Sequence, residues 1–582
     1  MTCRLSLRAF SLLALTCLVL GACGQPKDTQ SEVDKARVEL ANGNPGIARI
    51  HLDHALAAGV PRRELSLDFA EAALGEGDFE GARNWLEGED FPAGAAAERH
   101  LLLGRIEMAE GNLAAAARAF DSSYEADPAN SELWVEIGRL RYRRGEQVQA
   151  SQAVERALEL DPENGGALRF RGQLIRDAQG LRSGVRFLRD AVERQPDDVS
   201  LRVELAATLG DAGEAAEALR VLRGGDGSAV GTAPGLFVQA VIAARGGNFR
   251  LARDLLGRSN LVERRVPSAQ ILSAIIDLQE ENYASAVRAL DRIYGGGQAD
   301  DRRVRDLLAY ALSRSGGEQE LVSRFAETAA GNGGSAYLRT LVGRAYEALG
   351  DRDTAAEYLD LAAVSQGGMV VLPAVNTNSS SDAGGVETRN FVRTAIARGD
   401  PAAGVAKARD FARRFPGSAD AFSILGDAEL ASANRAAART AYERSAEIRR
   451  GWVLIIRLIG VQNTPADARR MIETYVQGNP MNGEAAAMLA DALAAEGKWA
   501  RAVPLLDHAM QSGMGRVPWV LAARSVAARE LGDQEEALSF ALAAHELQPM
   551  NPYAISALIA VLPENDPKRI ELEAKLRSVT AI

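Results

Sequence analysis

The chain is poor in side chains that do covalent or metal chemistry, so each can be weighed singly. Its three cysteines are Cys3, Cys17 and Cys23, all within a short N-terminal stretch. Cys23 therefore finds no downstream partner for an internal disulfide. It closes the run Leu20-Gly21-Ala22-Cys23, where an apolar stretch stops and the polar sequence QPKDTQ begins. A thiol flanked by small residues is a nucleophile that an enzyme's pocket can reach. The five histidines are scattered. His51 and His54 stand three apart in HLDH, a helical spacing at which two imidazoles can share a metal, but the sequence offers no third ligand beside them. There is no His-Glu-x-x-His, and no metal site is expected. The stretch GEGDFEG, Gly75 to Gly81, has the glycines of a phosphate loop but neither a preceding strand nor the required spacing, so it reads as a turn between helices. No Gly-x-Ser-x-Gly elbow occurs. Acidic clusters are common, yet a helical repeat offers no closed pocket to tune them. Neither an enzyme nor a cofactor is expected.

What surrounds Cys23 gives it a role. Arg4 and Arg8 precede an apolar run from Ala9 to Leu20, the layout of a secretory leader and too short for a spanning helix. With its box of Leu20, Gly21, Ala22 and Cys23, this segment resembles the leader of bacterial lipoproteins. The resemblance implies cleavage before Cys23, so that residues 1–22 are the signal peptide. Cys23 then carries the acyl chains, and residues 23–30 form a tether. Several chains together anchor stably. Gly24, in the place where Asp favours retention in the inner membrane, points to the periplasmic face of the outer membrane of a Gram-negative cell.

The whole chain has 25% charged and 5% aromatic residues and a net charge of −11, and the leader's Arg4 and Arg8 leave the body that the anchor would hold more acidic still, which argues against non-specific nucleic-acid binding. Its organisation is periodic. Pro128, Pro162 and Pro196 are spaced by 34 residues. Counting places from Ser131, the unit has Trp134, Ile137 and Gly138 at 4, 7 and 8, Gly145 at 15, Ala150 at 20, Val154 and Ala157 at 24 and 27, and Pro162 at 32. Places 4 and 7 make an apolar stripe on a first helix. Small residues at 8 and 20 let two helices approach closely. Glycine at 15 ends the first helix in a left-handed turn, and proline at 32 stops the second. This pattern resembles the tetratricopeptide repeat, departing only at the Tyr place, held by Arg141. Further units start at Ala97, Gly165, Val199, Ala336, Ala419, Gly483 and Pro518, with weaker pairs between them.

The resemblance implies an all-α fold, a right-handed superhelical solenoid of about twelve to fifteen helix pairs. Two blocks are expected, 31–363 and 387–582, separated by a flexible Gly/Asn/Ser-rich segment at 364–386 and closed by capping helices. A shorter break is expected at 223–235. In this family places 2, 5, 9, 12 and 13 of the first helix line a concave groove. Carried over, they give Arg105 and Met108, then Val135, Arg139, Tyr142 and Arg143, then Arg169, Gln173 and Arg176. Arg105, Arg139, Tyr142, Arg143, Arg169 and Arg176 thus form a candidate partner-binding strip for an anionic ligand, unless those arginines are occupied by neighbouring acids. Asp427 and Asp491 hold place 9 in later units. The role implied is a membrane-tethered scaffold for protein partners in a cell-envelope assembly, most similar in layout to the long tetratricopeptide lipoproteins of exopolysaccharide export. Alternatives are direct binding of an anionic polysaccharide or peptide, and an accessory role in pilus, secretion or outer-membrane protein assembly.

Overall fold

A computed structural model describes residues 29–87, 91, 94–225, 227–295, 302–331, 334–364 and 385–580. Cys23, the leader, most of the tether and nearly all of 364–386 lie outside them. Val364 ends one helix and Gly385 begins the next. Among the described residues the secondary structure is helical throughout, and no helix is long and apolar enough to cross a membrane.

Among the described residues the helices form sixteen pairs, from Thr29–Ala41 with Pro45–Ala57 to Pro552–Val561 with Pro567–Thr580. That exceeds the expected number. The additions include Arg302–Arg314 with Glu318–Ala330 and Trp452–Gly460 with Pro465–Gly478. These lack most of the repeat's signature residues. They pair because their apolar faces pack, as Leu308 and Leu312 do against Leu321 and Phe325. The break expected at 223–235 holds a one-turn helix, Ser228–Gly231, and the start of Ala233–Arg245.

The local reasons for the pattern are visible. First helices open on side-chain caps: Asn130, Asn164 and Asp198 accept from the backbone N–H of Leu133, Ala167 and Leu201 at 3.1, 2.7 and 2.9 Å. Gly111 and Gly145, at place 15, take φ of 85° and 80°, the left-handed turn between paired helices. Gly104, Gly343 and Gly426, at place 8, face place-24 side chains. A Cβ on Gly343 would stand 2.8 Å from Leu359 Cγ, and one on Gly104 or Gly426 would enter the ring of Phe120 or Tyr442. Gly77 ends a helix with φ 80° and Asp78 caps the next through Gly81, so GEGDFEG is a turn.

The chain divides into two compact units, Met1–Ala126 and Asp127–Ile582. In the first, Val33 and Ala36 pack with Ala48, Leu52, Leu65 and Phe69. The second carries a series of local clusters, each made by adjacent pairs, as a solenoid must. It also touches itself over long sequence distances. Val148 N–H donates to Gly417 O at 3.2 Å, Gln147 Oε1 accepts from Ala419 N–H at 3.1 Å, and Arg450 N–H donates to Asp177 O at 3.3 Å. Gln548 Nε2 donates to Thr340 Oγ1 at 2.6 Å.

Candidate functional site

In the first unit, Arg105 reaches Glu71 at 3.3 Å. Met108 is 5% exposed and belongs to the packed core rather than to a groove lining.

In the second unit the helices Ser131–Arg143 and Gly165–Gln179 stand side by side in the stack. Arg139 donates to Glu136 Oε1 at 2.6 Å and lies over the Phe170 ring. Tyr142 donates its hydroxyl to Asp177, with the Arg449 guanidinium over its ring. Burial and that carboxylate push the phenol's pKa up. Arg143 is exposed at the helix's C-terminal end, whereas Val135 is fully buried. Arg176 reaches Glu204 at 3.3 Å, and Gln173 donates to the same carboxylate at 2.8 Å. Acids from the same or the next unit thus engage Arg139, Arg176 and Tyr142.

Arg169 differs. It is half-buried, and it makes no hydrogen bond or ion pair among the described residues. Burial and, next, the charge of Arg139 hold its pKa below the usual value; Glu204, Glu132 and Asp198 oppose them at longer range. A cation so placed gains from an anion that brings its own oxygens.

A second concave surface lies near the C-terminal end. Three first helices, Gly483–Ala494, Pro518–Glu530 and Pro552–Val561, form a cleft of about 540 Å³. Asp491 and Ala494 line it at places 9 and 12 of one unit, Trp519, Ala522 and Val526 at places 2, 5 and 9 of the next, and Tyr553 and Ser556 at places 2 and 5 of the last. The groove places therefore do converge here. Met488 and Trp499 complete an apolar, aromatic wall. Asp491 has no hydrogen-bond or ion-pair partner among the described residues. Its carboxylate is open to water, yet the apolar atoms around it raise its pKa. Asp427, at the same place of an earlier unit, is closed: Arg457 grips it through Nε at 2.6 Å and Nη2 at 3.0 Å, and the Tyr442 hydroxyl donates at 2.7 Å.

The groove places carried over from the sequence did not extend to Tyr553, and Trp499 lies outside them. Applying the place rule to the last unit would have found Tyr553, because Pro552 starts it. Sequence reasoning also missed a neighbour of the two histidines. The expectation that His51 and His54 lack a third ligand is corrected: Glu32 from the preceding helix stands against both.

A family model for tetratricopeptide repeats matches residues 107–174, and a second such model matches 460–515. No curated protein matches the chain significantly. Among solved structures, a chain of the Cut9–Hcn1 hetero-tetramer of APC/C aligns at 12% identity over 92% of this chain and 96% of that one, with a TM-score of 0.26. A tetratricopeptide repeat protein from Parabacteroides merdae aligns at 16% identity over 41% of this chain and 94% of its own length, with a TM-score of 0.29. At those scores neither bears on function. The matched repeats mark the chain as a protein-interaction scaffold. Residues 107–174 and 460–515 are tetratricopeptide repeats, and the solenoid of paired helices to which they belong is a tetratricopeptide-repeat fold.

Proposed function

We propose that the protein is a membrane-tethered scaffold that holds extended segments of protein partners at two stations of opposite sign on its second unit. One observation carries this: among the described residues, Arg169 and Asp491 are groove-place charges with no hydrogen-bond or ion-pair partner for the side chain, while Arg139, Arg176 and Asp427 are engaged. The Arg169 station takes an acidic segment. The Asp491 cleft takes a segment with one Lys or Arg beside an apolar side chain, because Trp499, Trp519 and Tyr553 offer apolar area and faces for a cation. Aromatic walls also suit sugars, but an anionic polysaccharide would meet the Asp491 carboxylate.

The tether rests on Cys23 and the leader box, and the cell-envelope setting, with exopolysaccharide export as its nearest likeness in layout, rests on that leader joined to many repeats. Cys23→Ser should abolish labelling by a palmitate analogue; unchanged labelling removes the tether. The stations are tested with fluorescent peptides on the full chain. Acidic peptides should lose about tenfold or more in Kd on Arg169→Glu, and Arg/Trp-containing peptides on Asp491→Arg, each change sparing the other peptide class. If both variants bind both classes as the unaltered chain does, the two-station reading fails.

A further inference from the structure

A separate cluster lies in the first helix pair, remote in sequence from the repeats assigned to partners. Its parts are Glu32, on Thr29–Ala41, and His51 and His54, on Pro45–Ala57. The two helices are held against each other by Val33 and Ala36 on one and Ala48, Leu52 and Ala55 on the other. That packing fixes which faces meet. Residues three apart share a helix face, so both imidazoles turn toward the first helix. There they converge on one atom. Glu32 Oε2 stands 2.8 Å from His51 Nδ1 and 3.6 Å from His54 Nδ1. The three donor atoms all lie within 4.8 Å of one another.

We propose that Glu32, His51 and His54 bind a zinc ion through one carboxylate oxygen and two imidazole nitrogens. Zinc bonds to such ligands are about 2.0–2.2 Å long and tetrahedral, so donor atoms around it stand about 3.3–3.5 Å apart. The cluster meets that requirement by small side-chain rotations. The two imidazole rings are edge-on, with centroids 6.4 Å apart and planes at 86°, so each nitrogen can aim at a common point without ring collision. Two imidazoles with a carboxylate select a borderline-soft transition ion over magnesium or calcium, which take oxygen ligands.

The surroundings fit a site rather than a lone hydrogen bond. Lys35 Nζ donates to the other carboxylate oxygen, Glu32 Oε1, at 2.8 Å. It thereby orients the carboxylate and leaves Oε2 to the histidines, as outer-shell donors do at metal centres. Glu32 and His51 side chains are 22% and 25% exposed, and His54 is 61% exposed. The pair of sheltered ligands sets the geometry, and the exposed one lets an ion and a fourth ligand, water, reach it. Bound zinc would pin the first helix pair together.

The experiment is a zinc titration of the purified full chain, without a polyhistidine tag, against a chromophoric chelator. One zinc per chain is expected at micromolar or tighter affinity, with two imidazoles in its X-ray absorption spectrum. His54→Ala, at the exposed position, should fold normally by circular dichroism and lose about 100-fold in affinity or more, since ligands matter at least as much as outer-shell partners, whose loss costs about 10–100-fold. His51→Ala with His54→Ala should abolish binding, and His100→Ala should leave it unchanged. Absence of zinc uptake by the unaltered chain overturns the proposal, and so does equal affinity of the folded His54→Ala chain.

Discussion

Asp427 and Asp491 occupy the same place in two repeat units, and the molecule treats them in opposite ways. Asp427 is met by an arginine from the next helix pair and by the tyrosine of its own second helix; its side chain is 8% exposed. Asp491 lines a cleft together with Ala, Val and Trp side chains of the next units. Burial raises the pKa of both carboxyls, but only at Asp427 does a guanidinium oppose it. The place within a repeat sets where a side chain points. Whether its charge is spent on the fold or left for a ligand depends on what the neighbouring unit presents.

The sharpest way to break that comparison is to delete one side of the closed site. Asp427→Ala leaves Arg457, 14% exposed, without its partner, and Arg457→Ala leaves the Asp427 carboxylate with the Tyr442 hydroxyl but no cation against it. Removing one member of a buried pair costs about 3–5 kcal/mol. Urea unfolding should show that loss for either variant, whereas Asp491→Ala should stay within about 0.5 kcal/mol of the unaltered chain. Equal losses at 427 and 491 would show that the difference in pairing has no energetic weight.

A smaller effect is expected at Gly426, on the same helix as Asp427. A Cβ there enters the Tyr442 ring, whose hydroxyl helps hold Asp427. Gly426→Ala should cost about 1–3 kcal/mol as overpacking. Combined with Asp427→Ala it should cost less than the sum of the two, since they act on one network. Full additivity in a double-mutant cycle would separate the ring from the carboxylate.

The repeat itself was legible because its signature residues answer local needs: a glycine where the backbone turns left-handed, a small residue where a ring arrives, an Asx cap after a proline. The pairs at 302–330 and 452–478 were not, because most of those residues are missing from them, the left-handed turn at Gly316 apart, and tertiary packing forms them. The groove places in the last units were legible, and the cleft collects them. The fate of the arginine strip was not, because the acids that engage it come largely from adjacent units. Arg105 meets Glu71, 34 residues away, and Arg176 meets Glu204, 28 away; outside the strip, Arg457 meets Asp427, 30 away. Opposite charges separated by about one repeat are therefore the signal to search for. Arg169 stands out because none of its acids comes within reach.

Asp491 sharpens the comparison through pH. Its folded pKa is raised, so the fold disfavours the ionised form relative to the unfolded chain. The penalty is present above the folded pKa and fades as pH falls through it toward the ordinary carboxylate value near about 4. Asp491→Asn should therefore melt slightly higher than the unaltered chain at pH 7, with the difference closing in acid. A cationic peptide should bind the unaltered chain less well in acid, at a midpoint above that ordinary value, and bind Asp491→Asn weakly at every pH. A melting difference that does not change between pH 7 and pH 4 would show that this carboxyl is unperturbed.

The smallest effect belongs to Arg169, and its sign is the informative part. The nearby Arg139 has Glu136, only 3% exposed, as its partner. Removing the charge of Arg139 takes that partner from a buried carboxylate, and Arg139→Gln should lower stability. Arg169 has only burial and the repulsion of Arg139 acting on it, with distant acids in opposition. Arg169→Gln keeps much of the side chain's bulk and removes the disfavoured charge. It should leave stability unchanged or raise it, by less than about 1 kcal/mol, because water screens a half-buried charge. The same change should weaken an acidic peptide about tenfold, an effect that added salt reduces for the unaltered chain. Matched urea curves for the two glutamine variants decide the matter. If Arg169→Gln is the more damaging of the two, Arg169 serves the fold, and the acidic station must be sought elsewhere.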